Sequence, residues 1–274
     1  MKPVEPIVVV DLFEPMLDRL LQLLRQLSEQ EWRSATPCEG WTVKDIALHL
    51  LGDEIGQLSR GRDKDTSSTL PPGADLVSRI NRQNELWVEA TRRMSPHLIC
   101  DLLDATGHEV VQYFKCLDLM AMNGIVSWAG PDPAPVWFDV AREYTERWHH
   151  QQHIRKAVGQ PGLTEAVFLT PVLDTFVRAL PYTFHAVSAP EQTVVRLTVV
   201  GDAGQSWCLL RKEAHWSLFI ETRFSPAAIV TLDQETAWKL FTKGIAKEEA
   251  REKAHIQGNE ALASTLFEAV AIIA

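Results

Sequence analysis

The 274 residues suffice for about two domains of ordinary size, at roughly 100–200 residues each. Hydrophobic residues make up 46% of the chain, enough to fill packed cores, which excludes a mainly disordered protein. The net charge of -9, from 27 basic against 36 acidic side chains, repels phosphate backbones and argues against nucleic acid as a partner.

Near the start, Pro6–Val10 is a short apolar run with acidic flanks and no cleavage region, unlike a signal peptide. No segment approaches the roughly 20 apolar residues of a membrane helix, so the expected address is the cytoplasm, with no membrane partner. Phe13, Leu17, Leu20, Leu24 and Leu27 recur at three- and four-residue steps, which predicts an amphipathic helix from about Asp11 to Glu31. Pro37, Cys38, Glu39 and Gly40 break it. Thr42 with Asp45 three residues later is a capping-box start for a second helix, carrying Ile46, His49 and Leu50 and reaching towards Leu58. Gly61–Gly73 reads as a loop, and helical patterns resume over Ala74–Arg93 and again after Ser95-Pro96. A second break, Trp128–Pro135, precedes a long helix over Val136–Val158 that Gly159 and Pro161 stop.

The pattern then changes. Thr164–Val187 reads as a connecting helix. Thr193–Val200 is a β-branched run, and Ser206–Arg211 and His215–Thr222 are two further strands joined at Lys212–Ala214. Helical stretches around Gln234–Thr242, Lys247–His255 and Glu260–Ile273 close the chain. Helices first and a small antiparallel sheet with helices second define an α+β protein, with domains at 1–160 and 161–274. The four cysteines (Cys38, Cys100, Cys116, Cys208) have no paired spacing and are expected as buried, reduced thiols.

Metal-capable side chains are densest in the long helix: Glu143, Glu146, His149, His150 and His153. Residues four apart stack one turn above each other, so Glu146 and His150 can converge on one ion, with His153 on the same side. A third ligand must come from elsewhere, and His49, near the inward stripe of the second helix, is the obvious donor. Periodicity alone leaves this open. Trp137, Val140, Tyr144, Ile154 and Val158 define the apolar arc of the long helix; His150 borders it and Glu146 falls further out. Trp32, Trp41, Trp128, Trp137 and Trp148 read as core packing, Cys38 as a structural thiol, and His215 and Arg223 as second-domain candidates for a pocket. Phosphate-binding glycine patterns and a serine nucleophile elbow are missing.

Two segments carry a resemblance: Trp32…Thr36-Pro37-Cys38-Glu39-Gly40-Trp41-Thr42-Val43-Lys44-Asp45-Ile46-Ala47-Leu48-His49, and Glu143-Tyr144-Thr145-Glu146-Arg147-Trp148-His149-His150 onward to Gly159. They resemble the signature stretches of the DinB-like family, in the branch of mycothiol-dependent maleylpyruvate isomerase. The tail, with Thr231-Leu232-Asp233, Trp238 and Ile256–Ala263, is similar to that branch's sterol-carrier-like C-terminal domain. The resemblance implies an N-terminal four-helix bundle holding one divalent metal, zinc foremost and nickel, iron or manganese as alternatives, through His49, Glu146 and His150. His153 stands where relatives often show Asp or Gln, which makes it an extra or substitute ligand. The function implied is a thiol S-transferase or isomerase in which the metal activates a low-molecular-weight thiol against a small electrophile. Two other readings use the same residues: a hydrolase with metal-activated water and Glu143 or Glu146 as base, and a non-catalytic protein binding metal and a small molecule. A homodimer is compatible with all three.

Overall fold

Ser28 interrupts the first leucine stripe. Its hydroxyl accepts a hydrogen bond from Glu31 N at 3.3 Å, and Glu31 Oε2 accepts one from Ser28 N at 2.7 Å. This capping box starts a new helix, so the single helix predicted over Asp11–Glu31 is two, α1 (Val10–Gln26) and α2 (Glu29–Trp32). A computed structural model of the chain describes residues 1–67 and 70–272. After β1 (Lys2–Pro3), α1 and α2 come α3 (Val43–Gly56), a wide π-helical turn (Gln57–Arg62), α4 (Leu76–Thr91) and α5 (Pro96–Lys115). Then follow β2 (Met122–Ile125), β3 (Pro133–Pro135), α6 (Val136–Ala157), α7 (Ala166–Phe176), a 3-10 turn (Val177–Ala179) and α8 (Leu180–Thr183). The chain continues through β4 (Val194–Val200), β5 (Ser206–Lys212), β6 (His215–Glu221), β7 (Ala228–Asp233), α9 (Gln234–Phe241), α10 (Lys247–Lys253), β8 (His255–Gly258) and α11 (Glu260–Leu266).

Two compact units result, and they do not follow a single cut at residue 160. One comprises Val9–Asp118 and Glu143–Leu163; the other comprises Met1–Val8, Leu119–Arg142 and the chain from Thr164. In the helical unit, α1 buries Phe13, Met16, Leu17, Leu20, Leu21, Leu23 and Leu24. Of these, Leu17, Leu20, Leu21, Leu23 and Leu24 join Ile46, Leu50 and Leu51 of α3, Val88 of α4, Ile99 and Leu103 of α5 and Ile154 of α6 in one core. Each fully buried leucine or isoleucine stabilises such a core by about 1.5–3 kcal/mol. The start of α3 follows the sequence expectation: Thr42 Oγ1 accepts from Asp45 N at 3.3 Å, and Asp45 Oδ2 accepts from Thr42 N at 3.0 Å. Ser95 caps α5, with Leu98 N donating to its hydroxyl at 3.2 Å. Helix α6 ends at Ala157, and Gly159 takes φ +66°, a conformation that costs glycine little.

A buried charge pair crosses this unit. Arg147 Nη1 donates to Glu54 Oε1 at 2.5 Å and Thr106 Oγ1 donates to Glu54 Oε2. Burial pushes the Glu54 carboxyl up, against the pull of Arg147. Arg147 Nε and Nη2 are buried without a hydrogen-bond partner and Arg147 lines a cavity of about 20 Å³ beside Phe13, Leu50 and Gly107.

The other unit is built on a six-stranded sheet in the order β1-β6-β5-β4-β7-β8. It is mixed, which corrects the antiparallel expectation: β7 runs parallel to β4, with Val195 opposite Ala228 and Val199 opposite Leu232. The reason lies in the link after β6. It crosses back over β5 and β4, placing Phe224 against Val194, Cys208 and Leu210 on one sheet face, with Ala227 N donating to Val194 O at 2.8 Å. The opposite face carries Leu197, Trp207 and Val230, and Trp207 Nε1 donates to Asp174 Oδ1 of α7 at 2.8 Å. Alternation along β4 thus sends successive side chains to two covered faces.

Other expectations shift in detail. The predicted connecting helix Thr164–Val187 is broken into α7, the 3-10 turn and α8, and β1, β7 and β8 are strands that the pattern reading left out. The Trp128–Pro135 break contains β3, paired with β2 in a two-stranded hairpin. The last helix ends at Leu266; Ile273 of the predicted Glu260–Ile273 stretch, and Ser68 and Thr69 of the Gly61–Gly73 loop, lie outside the described residues. No helix among the described residues is long and apolar enough to cross a membrane.

Candidate metal centre

His49 sits on α3, two turns past its cap, and is 4% exposed. Glu146 and His150 lie one turn apart on α6. The fold brings the three together: His49 Nε2 lies 3.4 Å and His150 Nε2 lies 3.0 Å from the same oxygen, Glu146 Oε1. One ligand atom from each falls within 4.8 Å of the others, and the two imidazole rings meet edge to face at 4.6 Å. Asp53, one turn after His49, places Oδ2 3.3 Å from His49 Nε2. Trp41 stands beside His49 at 5.2 Å between rings and donates from Nε1 to Glu85 Oε2 at 3.1 Å. Arg92 Nε donates to Asp45 Oδ1 at 2.8 Å, tying α4 to the start of α3.

Electrostatics set the protonation of this cluster. Burial disfavours a charged His49, but Asp53 and then Glu146 outweigh it and raise its pKa to about 9. Burial likewise opposes ionisation of Glu146, yet His150 and His49 hold its carboxyl well below the usual range. His149 and His153 go the other way. Burial, reinforced by neighbouring imidazoles, lowers them to about 3 and about 2, so both stay neutral. Burial pushes the Cys38 thiol up to about 11, with Glu146 adding to the effect.

A divalent cation fits these residues on donor chemistry. Two imidazoles and a carboxylate are a common set for zinc and its neighbours. His150 Nδ1 is buried with no hydrogen-bond partner, an orphaned polar atom inside the cluster. His153, anticipated as an extra donor, is 5.4 Å ring to ring from His150 and 4.2 Å from His149.

Several residues depart from the sequence reading. Trp41 borders His49 instead of serving the core alone, and Asp53 was not anticipated; the signal for it was the four-residue step from His49. Trp128 and Trp137 pack with Phe138 in a small separate cluster of the sheet-bearing unit, while Trp32 and Trp148 are buried as expected. His215 and Arg223 are exposed in that same unit, with the Arg223 guanidinium over the Phe224 ring, and neither belongs to the cluster around His49. All four cysteines are free thiols, but only Cys100 and Cys208 are buried; Cys38 is half-buried and Cys116 exposed.

A helical unit with two imidazoles and a carboxylate convergent inside it, joined to an α+β unit, defines a two-unit protein with a candidate metal centre in its helices. The family model for the mycothiol maleylpyruvate isomerase N-terminal domain matches residues 13–155, more than half of the chain and all of this cluster. The chain belongs to that family. Among solved structures, a point mutant of the mycothiol-dependent maleylpyruvate isomerase aligns at 10% identity and a TM-score of 0.50, covering 84% of this chain and 86% of that one, and so shares its fold. The isomerase itself aligns at 11% identity and a TM-score of 0.49, with the same coverage of 84% and 86%. Sterol carrier protein 2 like 2 from Aedes aegypti aligns at 20% identity over 36% of this chain and 95% of its own, with a TM-score of 0.28. No curated protein matches the chain significantly.

Proposed function

We propose that this protein is a thiol-dependent isomerase of a small electrophilic substrate, with His49, Glu146 and His150 holding one divalent cation, zinc foremost. The observation that carries the reading is the convergence of those three donors from two helices, inside the segment that matches the isomerase family. Bound there, the cation would supply Lewis acidity that favours the thiolate form of a low-molecular-weight thiol such as mycothiol.

The chain's own residues prepare this chemistry. Asp53 and Glu146 both flank His49 Nε2 and so place negative charge on the side of the ring where the cation would sit. Trp41 walls one side of His49, and burial of His149 and His153 keeps both neutral, so they add no positive charge next to the site. The thiolate would add to a conjugated carbon–carbon double bond, forming a carbon–sulfur bond and moving the π pair towards the adjacent carbonyl. Rotation about the resulting single bond and expulsion of the thiolate restore the double bond with changed geometry, so the thiol is regenerated and no redox partner is needed. Cis-to-trans conversion of a maleylpyruvate-type substrate is the matching reaction.

The test is an isomerisation assay with purified, metal-loaded protein, with and without mycothiol. The reading expects turnover only with thiol present, and a loss of at least about 100-fold in His49→Ala, the scale of removing one positioned group. Thiol-independent consumption of the substrate to products cleaved by water would favour the hydrolase reading; no turnover of any conjugated substrate would overturn the isomerase.

A further inference from the structure

His150 belongs to two groups of convergent donors. Beside the one described above stands a second: Cys38 Sγ, His150 and His153 also place one ligand atom each within 4.8 Å of the others. The thiol and the new imidazole touch, with Cys38 Sγ 3.1 Å from His153 Nδ1, across 115 residues of sequence.

Local structure holds both partners in place. Cys38 lies in the turn ahead of α3, where Trp41 N donates to Cys38 O at 3.0 Å and Gly40 takes φ +78°, a conformation a Cβ disfavours. Thr36 Oγ1 donates to Trp41 O at 2.8 Å and closes the same turn. His150 and His153 are three residues apart on α6, hence on one side of it. His150 also carries a buried Nδ1 without a hydrogen-bond partner. A sulfur with two imidazoles is a softer set than two imidazoles with a carboxylate, and it selects zinc-like cations over magnesium or manganese.

We infer that Cys38, His150 and His153 form a second, sulfur-containing seat for a thiophilic divalent cation, adjoining the His49–Glu146–His150 seat and sharing His150 with it. The inference rests on the reading of this unit as a metal centre. Occupancy is a ligand exchange and nothing more. The Cys38 S–H bond breaks, its proton goes to solvent, and a sulfur–metal bond forms with no change of oxidation state.

Cobalt(II) titration of the metal-free protein tests this, because a cysteine thiolate on cobalt gives a near-ultraviolet charge-transfer band that imidazole and carboxylate ligands do not. The wild type should show the band. Cys38→Ser should lose it, His153→Ala should weaken it, and Cys116→Ser, at an exposed thiol elsewhere, should keep it. Visible cobalt bands without the charge-transfer band in the wild type would overturn the second seat while leaving the first standing. Retention of the band in Cys38→Ser would also overturn it, and failure of the wild type to take up cobalt at all would remove both seats together. Should Cys38→Ser not fold, alkylation of the wild type read by peptide mapping serves instead: zinc should slow modification of Cys38 but not of Cys116, and equal rates at Cys38 with and without zinc would overturn the inference.

Discussion

Glu54 accepts from both Arg147 and Thr106 inside the helical unit, with side chains of Arg147 and Glu54 only 11% and 1% exposed. At that depth, removing one partner strands the other charge, at a cost of about 3–5 kcal/mol, whereas replacing both with apolar or neutral groups of similar size costs far less. Arg147→Ala should therefore lower the urea midpoint sharply, and Glu54→Gln with Arg147→Met should recover most of the loss. A midpoint in Arg147→Ala equal to the wild type would contradict the pairing. Asp53 offers a second test at this scale. Its carboxylate lies 3.3 Å from His49 Nε2, on the side of the ring where the cation would sit, so Asp53→Asn should weaken metal affinity in a chelator competition by removing that negative charge while leaving the fold intact. Of these side chains, the sequence shows His49, Glu146 and His150 through motif, but their convergence is not legible from periodicity. Helix α6 explains why: polar Glu143, Thr145, His149, Gln151 and Gln152 are buried alongside Tyr144, Trp148 and Ile154, so no single apolar stripe marks the inward face. The Cys38–His153 contact is less legible still, since it joins a turn to a helix with nothing in local pattern to link them.

Helix α3 shows the opposite case, an element whose start is written in a few residues. Thr42 and Asp45 satisfy each other's backbone donors, and Arg92 adds a charge-assisted bond to Asp45 Oδ1. Thr42→Ala should cost about 1 kcal/mol, the usual worth of such a cap, measured by denaturant titration. Asp45 links this cap to pH. Burial works against its charge, but the bonds from Arg92 and Thr42 win and hold its carboxyl below the ordinary aspartate value. The stability it contributes is thus present above that ordinary value and fades as pH falls through the lowered folded one. The stability gap between wild type and Asp45→Asn should be largest near neutrality and close in acid; a gap independent of pH would contradict the pairing. Strand β4 is equally legible from its β-branched run, and β5 and β6 from the short Lys212–Ala214 turn between them. The parallel partnership of β4 with β7 is not, because direction depends on where the link after β6 travels, a path recorded by Phe224, packed on Val194, Cys208 and Leu210, and by the Ala227–Val194 backbone bond.

At the scale of the whole molecule, the chain alternates between two compact units, so their boundaries cannot be found by looking for one linker. Met1–Val8 and Leu119–Arg142 pack with the residues after Thr164, although each adjoins helical-unit residues in sequence. Composition records helices before strands but not this return of early segments to the later unit. Since His49, Glu146 and His150 all fall in the helical unit, a bound cation stabilises that unit through its own ligands. Chelation should therefore raise hydrogen exchange at amides of α3 and the ligand-bearing part of α6 while leaving β4, β5 and β7 unchanged. The claim on which the functional account depends is that three side chains from two helices grip one ion. Elemental analysis of the purified protein beside His49→Ala and His150→Ala tests it most directly. The account predicts close to one equivalent of zinc or a like divalent metal per wild-type chain and a large loss in both variants; equal metal content in all three proteins would contradict it.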